Sequence, residues 1–171
     1  SAVTTLPAGV GGKVLQVVST TTDGSFSTSA TSFTDITGMS VSITPSATSS
    51  KIFISGHMQG GGNDDSRLTG FKLLRDSTSV DEGNKGVSNG VDAFVSLGGG
   101  DSTNRVATND NLSFNYLDSP SSTSAITYKL QVNPNPVGSG SRTFYLNRPS
   151  NLADNGRLWT VSTITVMEIA G

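Results

Sequence analysis

The chain contains no cysteine and a single histidine, His57. Disulfides, thiolate metal sites and cysteine nucleophiles are excluded together, and the redox compartment stays open. Charge is also scarce: 14% of residues are charged, the net charge is -2 and the pI is about 5.2. No basic surface is available to neutralise a phosphate backbone, so nucleic acid is not an expected partner. No run approaches the roughly 18 apolar residues of a membrane span, and membrane insertion is not expected. Aromatics make up 6% of the chain, with one tryptophan, Trp159.

What is present is a pattern of period two. In Met39-Ser40-Val41-Ser42-Ile43-Thr44 every second residue is apolar, which places the apolar side chains on one face of an extended strand and the hydroxyls on the other. Pro45 and the small hydroxyl residues after it break the strand before Ile52-Phe53-Ile54 resumes it. Similar alternation runs through Val91, Ala93, Val95 and Leu97, through Leu112, Phe114 and Tyr116, and through Ile126, Tyr128, Leu130 and Val132. With apolar segments at 14–18, 32–36, 39–44, 51–58, 68–75, 142–148 and 159–169, about ten short strands are expected, separated by Gly, Asn, Asp, Ser and Pro clusters. No interval shows helical periodicity. The expected fold is all-β: a jelly-roll β-sandwich of about ten short antiparallel strands, with little or no helix. At 171 residues one domain is expected, over 13–171. Residues 1–12, SAVTTLPAGVGG, lack alternation and read as a linker or junction to something upstream.

The chemical motifs are weak. Gly86-Val87-Ser88-Asn89-Gly90 fits the G-x-S-x-G spacing of a nucleophile elbow. No apolar strand leads into it, no helix pattern follows, and His57 precedes the serine where α/β-hydrolases place it afterwards. Asn63-Asp64-Asp65 and Asp81-Glu82 could offer oxygens to calcium, but neither has the spacing of a calcium loop. Eleven Asp and two Glu allow many carboxylate pairs of the kind a glycosidase needs, and nothing selects one. Trp159 could stack on a sugar; burial at the start of the last strand is the expectation. No catalytic residue, metal site or cofactor is expected.

The segments GKVLQVVST, SFTDITGMSVSITPSATSSKI, GFKLLRDST, LSFNYLDSPSSTSAITYKLQV and STITVMEIAG resemble the C-terminal domain of tail-fibre and other virion structural proteins of marine bacteriophages. More loosely, the strand spacing is similar to the jelly roll of complement C1q and tumour necrosis factor. The resemblance implies a non-enzymatic virion protein: a homotrimeric fibre-tip domain for receptor binding, held by other virion proteins and contacting a host cell-surface receptor such as a polysaccharide. A capsid-decorating or assembly domain without receptor contact is the alternative, and a carbohydrate-active enzyme a more distant one. If the first and last strands pair antiparallel, both termini lie at one end. Counting strands back from the last then puts loops 76–90, 118–124 and 149–157 at the opposite end. The expected receptor contacts on them are Asn84, Lys85, Asn89, Asp118, Asn151, Asp154, Asn155 and Arg157. Phe114, Tyr116 and Tyr128 are expected to pack between subunits of a trimer. The loops 60–67, 81–90 and 133–141 match no familiar pattern and are expected to vary with the receptor.

Overall fold

A computed structural model describes residues 13–62, 68–81, 91–97, 110–135, 142–149 and 158–171. Among them are eleven strands and no helix: β1 (Val14–Thr22), β2 (Phe26–Thr28), β3 (Thr34–Ile43), β4 (Lys51–Gly62), β5 (Thr69–Arg75), β6 (Thr78–Asp81), β7 (Val95–Leu97), β8 (Asp110–Asp118), β9 (Ile126–Asn133), β10 (Phe144–Leu146) and β11 (Ser162–Ile169). All pair antiparallel. The first sheet runs β1-β11-β4-β8, with β10 and β2 added where β11 leaves off: β11 pairs residues 51–57 of β4, and β10 pairs residues 60–62. The second sheet runs β3-β9-β5, with β6 and β7 sharing the outer edge of β5. Apart from the three-residue strands β2, β7 and β10, the strands thus divide as 1-11-4-8 and 3-9-5-6, the two layers of a jelly roll.

Period-two patterning explains which side chains fill the space between the layers. In β9, Ile126, Tyr128, Leu130 and Val132 point inward and Thr127, Lys129 and Gln131 outward. Ile52, Ile54 and Met58 of β4 and Ile164 and Val166 of β11 meet them from the other layer, all fully buried. Phe71 and Phe144 close the far part of the core edge to face, with ring centroids 5.5 Å apart. Gly60 of β4 makes room there, since a Cβ at that position would lie 2.7 Å from the Phe144 ring.

The segments expected as two strands at 32–36 and 39–44 form one, β3. Ile36 and Met39 are three apart, so a regular strand would turn them to opposite faces, yet both are buried. The pairing with β9 is interrupted between Asp35 and Ser40, and Gly38 within the interruption adopts φ +88°. This bulge re-phases the strand so that both apolar side chains reach the core. It also brings Gly38 against β1, where a Cβ would sit 2.7 Å from Thr22 Oγ1. The short strands β2 and β6 were not expected; three or four residues carry too little alternation to register.

One inward position breaks the apolar rule. Glu168 follows Ile164 and Val166 in the alternation of β11 and is fully buried. Its Oε1 accepts from the Ser46 backbone N–H (2.7 Å), Ser46 Oγ (2.6 Å) and Ser50 Oγ (2.6 Å), and its Oε2 accepts from Gln16 Nε2 (2.6 Å). Desolvation pushes its pKa upward, but the hydrogen bonds from Ser46, Ser50 and Gln16 outweigh it and hold the group at about 2. The carboxylate therefore fastens β1 and the 44–50 connection to β11.

Two outcomes test this fold. Gly38→Ala should lower stability by about 1 to 3 kcal/mol, read as a lower midpoint in urea or thermal unfolding, because a left-handed backbone conformation and a side-chain clash are imposed together. The folded-state pKa of Glu168 lies below the ordinary 4.5, so its contribution is complete above about pH 4.5 and is lost as pH falls toward 2. Glu168→Gln should therefore be less stable than the parent at pH 7, and the difference should shrink across that window in acid-unfolding curves followed by circular dichroism.

Candidate functional surfaces

The pairing of β1 with β11 fixes the two ends of the sandwich. Val14 lies opposite Ile169 and the Ala170 N–H donates to the Lys13 carbonyl (2.8 Å), so the chain enters and leaves at the same end, as expected. Lys51 is opposite Ile169, and Ile52 is opposite Asp118. The 44–50 connection and the turn after β8 therefore lie at that end too. In the second layer, the Asp76 N–H donates to the Thr127 carbonyl (2.7 Å), placing the β5–β6 turn there as well.

Of the three loops expected opposite the termini, 118–124 is corrected, since it lies at the end where β1 starts and β11 stops; so does the 76–77 turn that opens the expected loop 76–90, whose residues 82–90 lie outside the described residues. The reason is β10. Phe144 faces Gly62 and Leu146 faces Gly60, so this three-residue strand starts at the distant end and stops short of crossing the sandwich. β10 therefore adds no crossing, and the turns after β5 and β8 lie at the other end from the one a strict alternation gives them. Residues 150–157 of the third loop lie outside the described residues; on either side of them Asn147 is bonded to Gln59, near the distant end of β4, and Thr160 to Asn147.

Asp118, expected as a receptor contact, is buried and committed. Its carboxylate accepts two hydrogen bonds from Arg75 Nη1 (3.0 and 2.8 Å), one from the Tyr128 hydroxyl (2.6 Å) and one from the Ser119 N–H (2.9 Å). This knot ties the last residue of β8 to β5 and β9 in the other layer. Burial and the adjacent Asp118 carboxylate raise the Tyr128 pKa far above its ordinary value. Tyr128 is fully buried and Phe114 nearly so, both within the core of one chain, so neither is available to pack between subunits. Tyr116 is half-buried, donates from its hydroxyl to the Val80 carbonyl (2.8 Å) and meets Phe94 edge to face. The alternation of β8 was read correctly, but its inner face was assigned to an interface. Asn84, Lys85, Asn89, Asn151, Asp154, Asn155 and Arg157 lie outside the described residues, as do Gly86 to Gly90, Asp64, Asp65 and Glu82.

The distant end holds a cluster that the sequence did not announce. Asn147, fully buried at φ +58°, donates from its side-chain amide to the carbonyls of Thr22 (2.9 Å) and Gly24 (3.0 Å). Its Oδ1 accepts from Ser162 Oγ (2.6 Å), whose oxygen in turn accepts from the Gln59 N–H (3.0 Å). The Asn147 N–H donates to the Gln59 carbonyl and its own carbonyl accepts from the Thr160 N–H. Every polar atom of Asn147 is used, and the base of the loop carrying Trp159 is held to three strands. Trp159, expected to be buried, is 60% exposed, beside Leu158 at 76%. The segments 63–67, 98–109 and 136–141 are also entered and left at this end. The described flanks of two of the three irregular loops, 60–67 and 133–141, are therefore at the distant end with Trp159.

The outer faces of the two layers differ in chemistry. On the second layer Asp35 accepts from Lys129 Nζ (2.7 Å) and Gln131 Nε2 (2.7 Å), which hold its pKa below the usual carboxylate range, and Lys72 lies over the Phe33 ring. On the first layer the outward positions of the paired strands are apolar, hydroxyl- or amide-bearing, apart from Lys51 and His57, and hold no carboxylate. His57 is there, half-buried in the middle of β4 and not at a strand end. Among the described residues, no group of three or more His, Cys, Asp or Glu side chains is placed to hold a metal ion.

Neither a protein-family model nor a curated protein sequence matches the chain. Among solved structures it is similar to the structure of infectious bursal disease virus, Gx strain, at 14% identity and a TM-score of 0.39. The match covers 92% of this chain and 43% of that one, so the chain spans less than half of that protein's length. The jelly roll described above rests on the strand pairing alone.

Proposed function

We propose that the chain is a non-enzymatic virion structural domain of a bacteriophage, the receptor-binding tip of a homotrimeric fibre, held at the end of its termini and contacting the host surface with the opposite end. The observation that carries this reading is the division of labour between the ends. The start of the first strand, the end of the last and the two knots around Glu168 and Asp118 are at one end; the flanks of the irregular loops 60–67 and 133–141 and the exposed Trp159 are at the other. A domain fastened through its termini presents the far end outward, and loops on a rigid β-scaffold are where binding residues gather. The segments resembling phage fibre domains supply the virion setting. An exposed indole beside polar loops suits a sugar ring, which offers an apolar face and hydroxyls at its rim. Host envelope polysaccharide is accordingly the ligand class.

Binding of the labelled chain to a panel of bacterial lipopolysaccharides and capsular polysaccharides tests the proposal. Trp159→Ala should weaken binding about tenfold or more, the equivalent of roughly 1.4 kcal/mol, with an unchanged unfolding midpoint. Equal binding by the variant and the parent would contradict the placement of the contact, and release of soluble sugar from the polysaccharide would contradict the non-enzymatic reading.

A further inference from the structure

The register of the first layer sets its outward side chains in complete rows across the strands. Val17 is opposite Met167, Met167 opposite Phe53 and Phe53 opposite Leu117, so one apolar row crosses β1, β11, β4 and β8 from edge to edge. Val17 is 55% exposed and Leu117 48%. Beside it toward the termini stand Val14 and Ile169, with exposed Leu15 in the bulge of β1. On the other side come two polar rows: Ser19, Thr165, Ser55 and Asn115, then Thr21, Thr163, His57 and Ser113. The hydroxyls already pair along them, Ser19 with Thr165 at 2.8 Å and Thr21 with Thr163 at 3.0 Å.

We infer that this face is the surface through which copies of the chain assemble, the occupant being further copies of the chain that turn the same face toward a shared axis. The inference deepens the assembly part of the proposed function and rests on it. Its chemistry is self-complementary. The rows contain no carboxylate, and their only titratable side chains are Lys51, at the end nearest the termini, and His57 in the last row. A cationic partner would find no carboxylate and an anionic one only Lys51 at the margin, whereas a copy meets apolar rows with apolar rows. Serine and threonine hydroxyls both donate and accept, so hydroxyl rows can also bond to their own kind. The outer face of the second layer, with its Asp35–Lys129 ion pair, carries the charge that keeps a surface in water. An edge-to-edge apolar row on the opposite face is the pattern of a surface that is covered.

Four strands about 4.8 Å apart and rows spanning about eight residues give a face of roughly 500 Å². That is below the roughly 800 Å² per partner of a standard interface, so the contact is of the small, weakly associating class. The face adjoins the end where the chain enters, so copies joined upstream would be brought together at this row.

Sedimentation velocity of the full chain from low to high micromolar concentration tests the inference. The parent should self-associate, and Phe53→Asp or Leu117→Asp should each weaken association about thirtyfold or more, the loss expected from breaking the centre of an interface. Ser40→Asp, on the outer face of the second layer, should leave it unchanged. Mixing Phe53→Asp with Phe53→Lys chains should restore assembly, a result that misfolding of the variants cannot produce. A parent that assembles while both Phe53→Asp and Leu117→Asp assemble equally well overturns this face and leaves the homo-oligomer standing. A parent that is monomeric throughout overturns both, with polysaccharide binding still testable by itself.

Discussion

The antiparallel pairing of the first strand with the last, Val17 opposite Met167 and Ser19 opposite Thr165, is the constraint on which the rest of the structure depends. A strand shifted by one residue would turn every side chain to the other face. In the observed register Val18 of β1 and Ile164, Val166 and Glu168 of β11 point inward, and Glu168 reaches Gln16, Ser46 and Ser50. The same register turns Val17 and Met167 outward into the apolar row. It also brings the start of β1 and the end of β11 to one end of the sandwich. Core, outer face and polarity of the molecule are three consequences of one alignment.

Polar groups fix this alignment more sharply than the apolar core does. Apolar side chains tolerate repacking as long as volume is kept. Glu168 and Asp118 do not, because a buried carboxylate deprived of its donors carries its full desolvation cost. Each sits at the end near the termini and each joins separate elements: Glu168 joins β1, β11 and the 44–50 connection, and Asp118 joins β8 to β5 and β9. At the other end the neutral Asn147 does similar work with amide and hydroxyl groups. The sandwich is thus pinned at both ends, and the loops beyond Asn147 are mounted on a fixed base.

The fold class was legible because strands such as β9 alternate strictly, and alternation is a local signal. The antiparallel pairing of the first strand with the last was implied by the resemblance to the C1q jelly roll and by no local signal. What local reading missed has identifiable causes. Gly38 joins two expected strands through a bulge whose need appears only when Ile36 and Met39 must both be buried. The short β10 overturned the assignment of loops to ends, because strand length and not strand count decides whether the chain crosses the sandwich. Phe114 and Tyr128 were placed between subunits because alternation names two faces without saying which one is inside. Trp159 was expected in the core, whereas the Thr160–Asn147 bond holds the backbone beside it and leaves the indole outside. The apolar row itself needed the pairing register, since its members come from four strands spread over the whole chain.

The absence of cysteine in the chain makes the central alignment open to one direct measurement. Ser19 and Thr165 are directly opposed with hydroxyls 2.8 Å apart, a placement that suits a disulfide between cross-strand neighbours. A chain carrying Ser19→Cys and Thr165→Cys should close an intramolecular disulfide under mild oxidation and unfold at a higher temperature than its reduced form, because the bridge would close a very long loop. Two thiols that remain free in the folded protein, with ready bridging in a Ser19→Cys and Thr163→Cys chain instead, would show a different register and contradict the account.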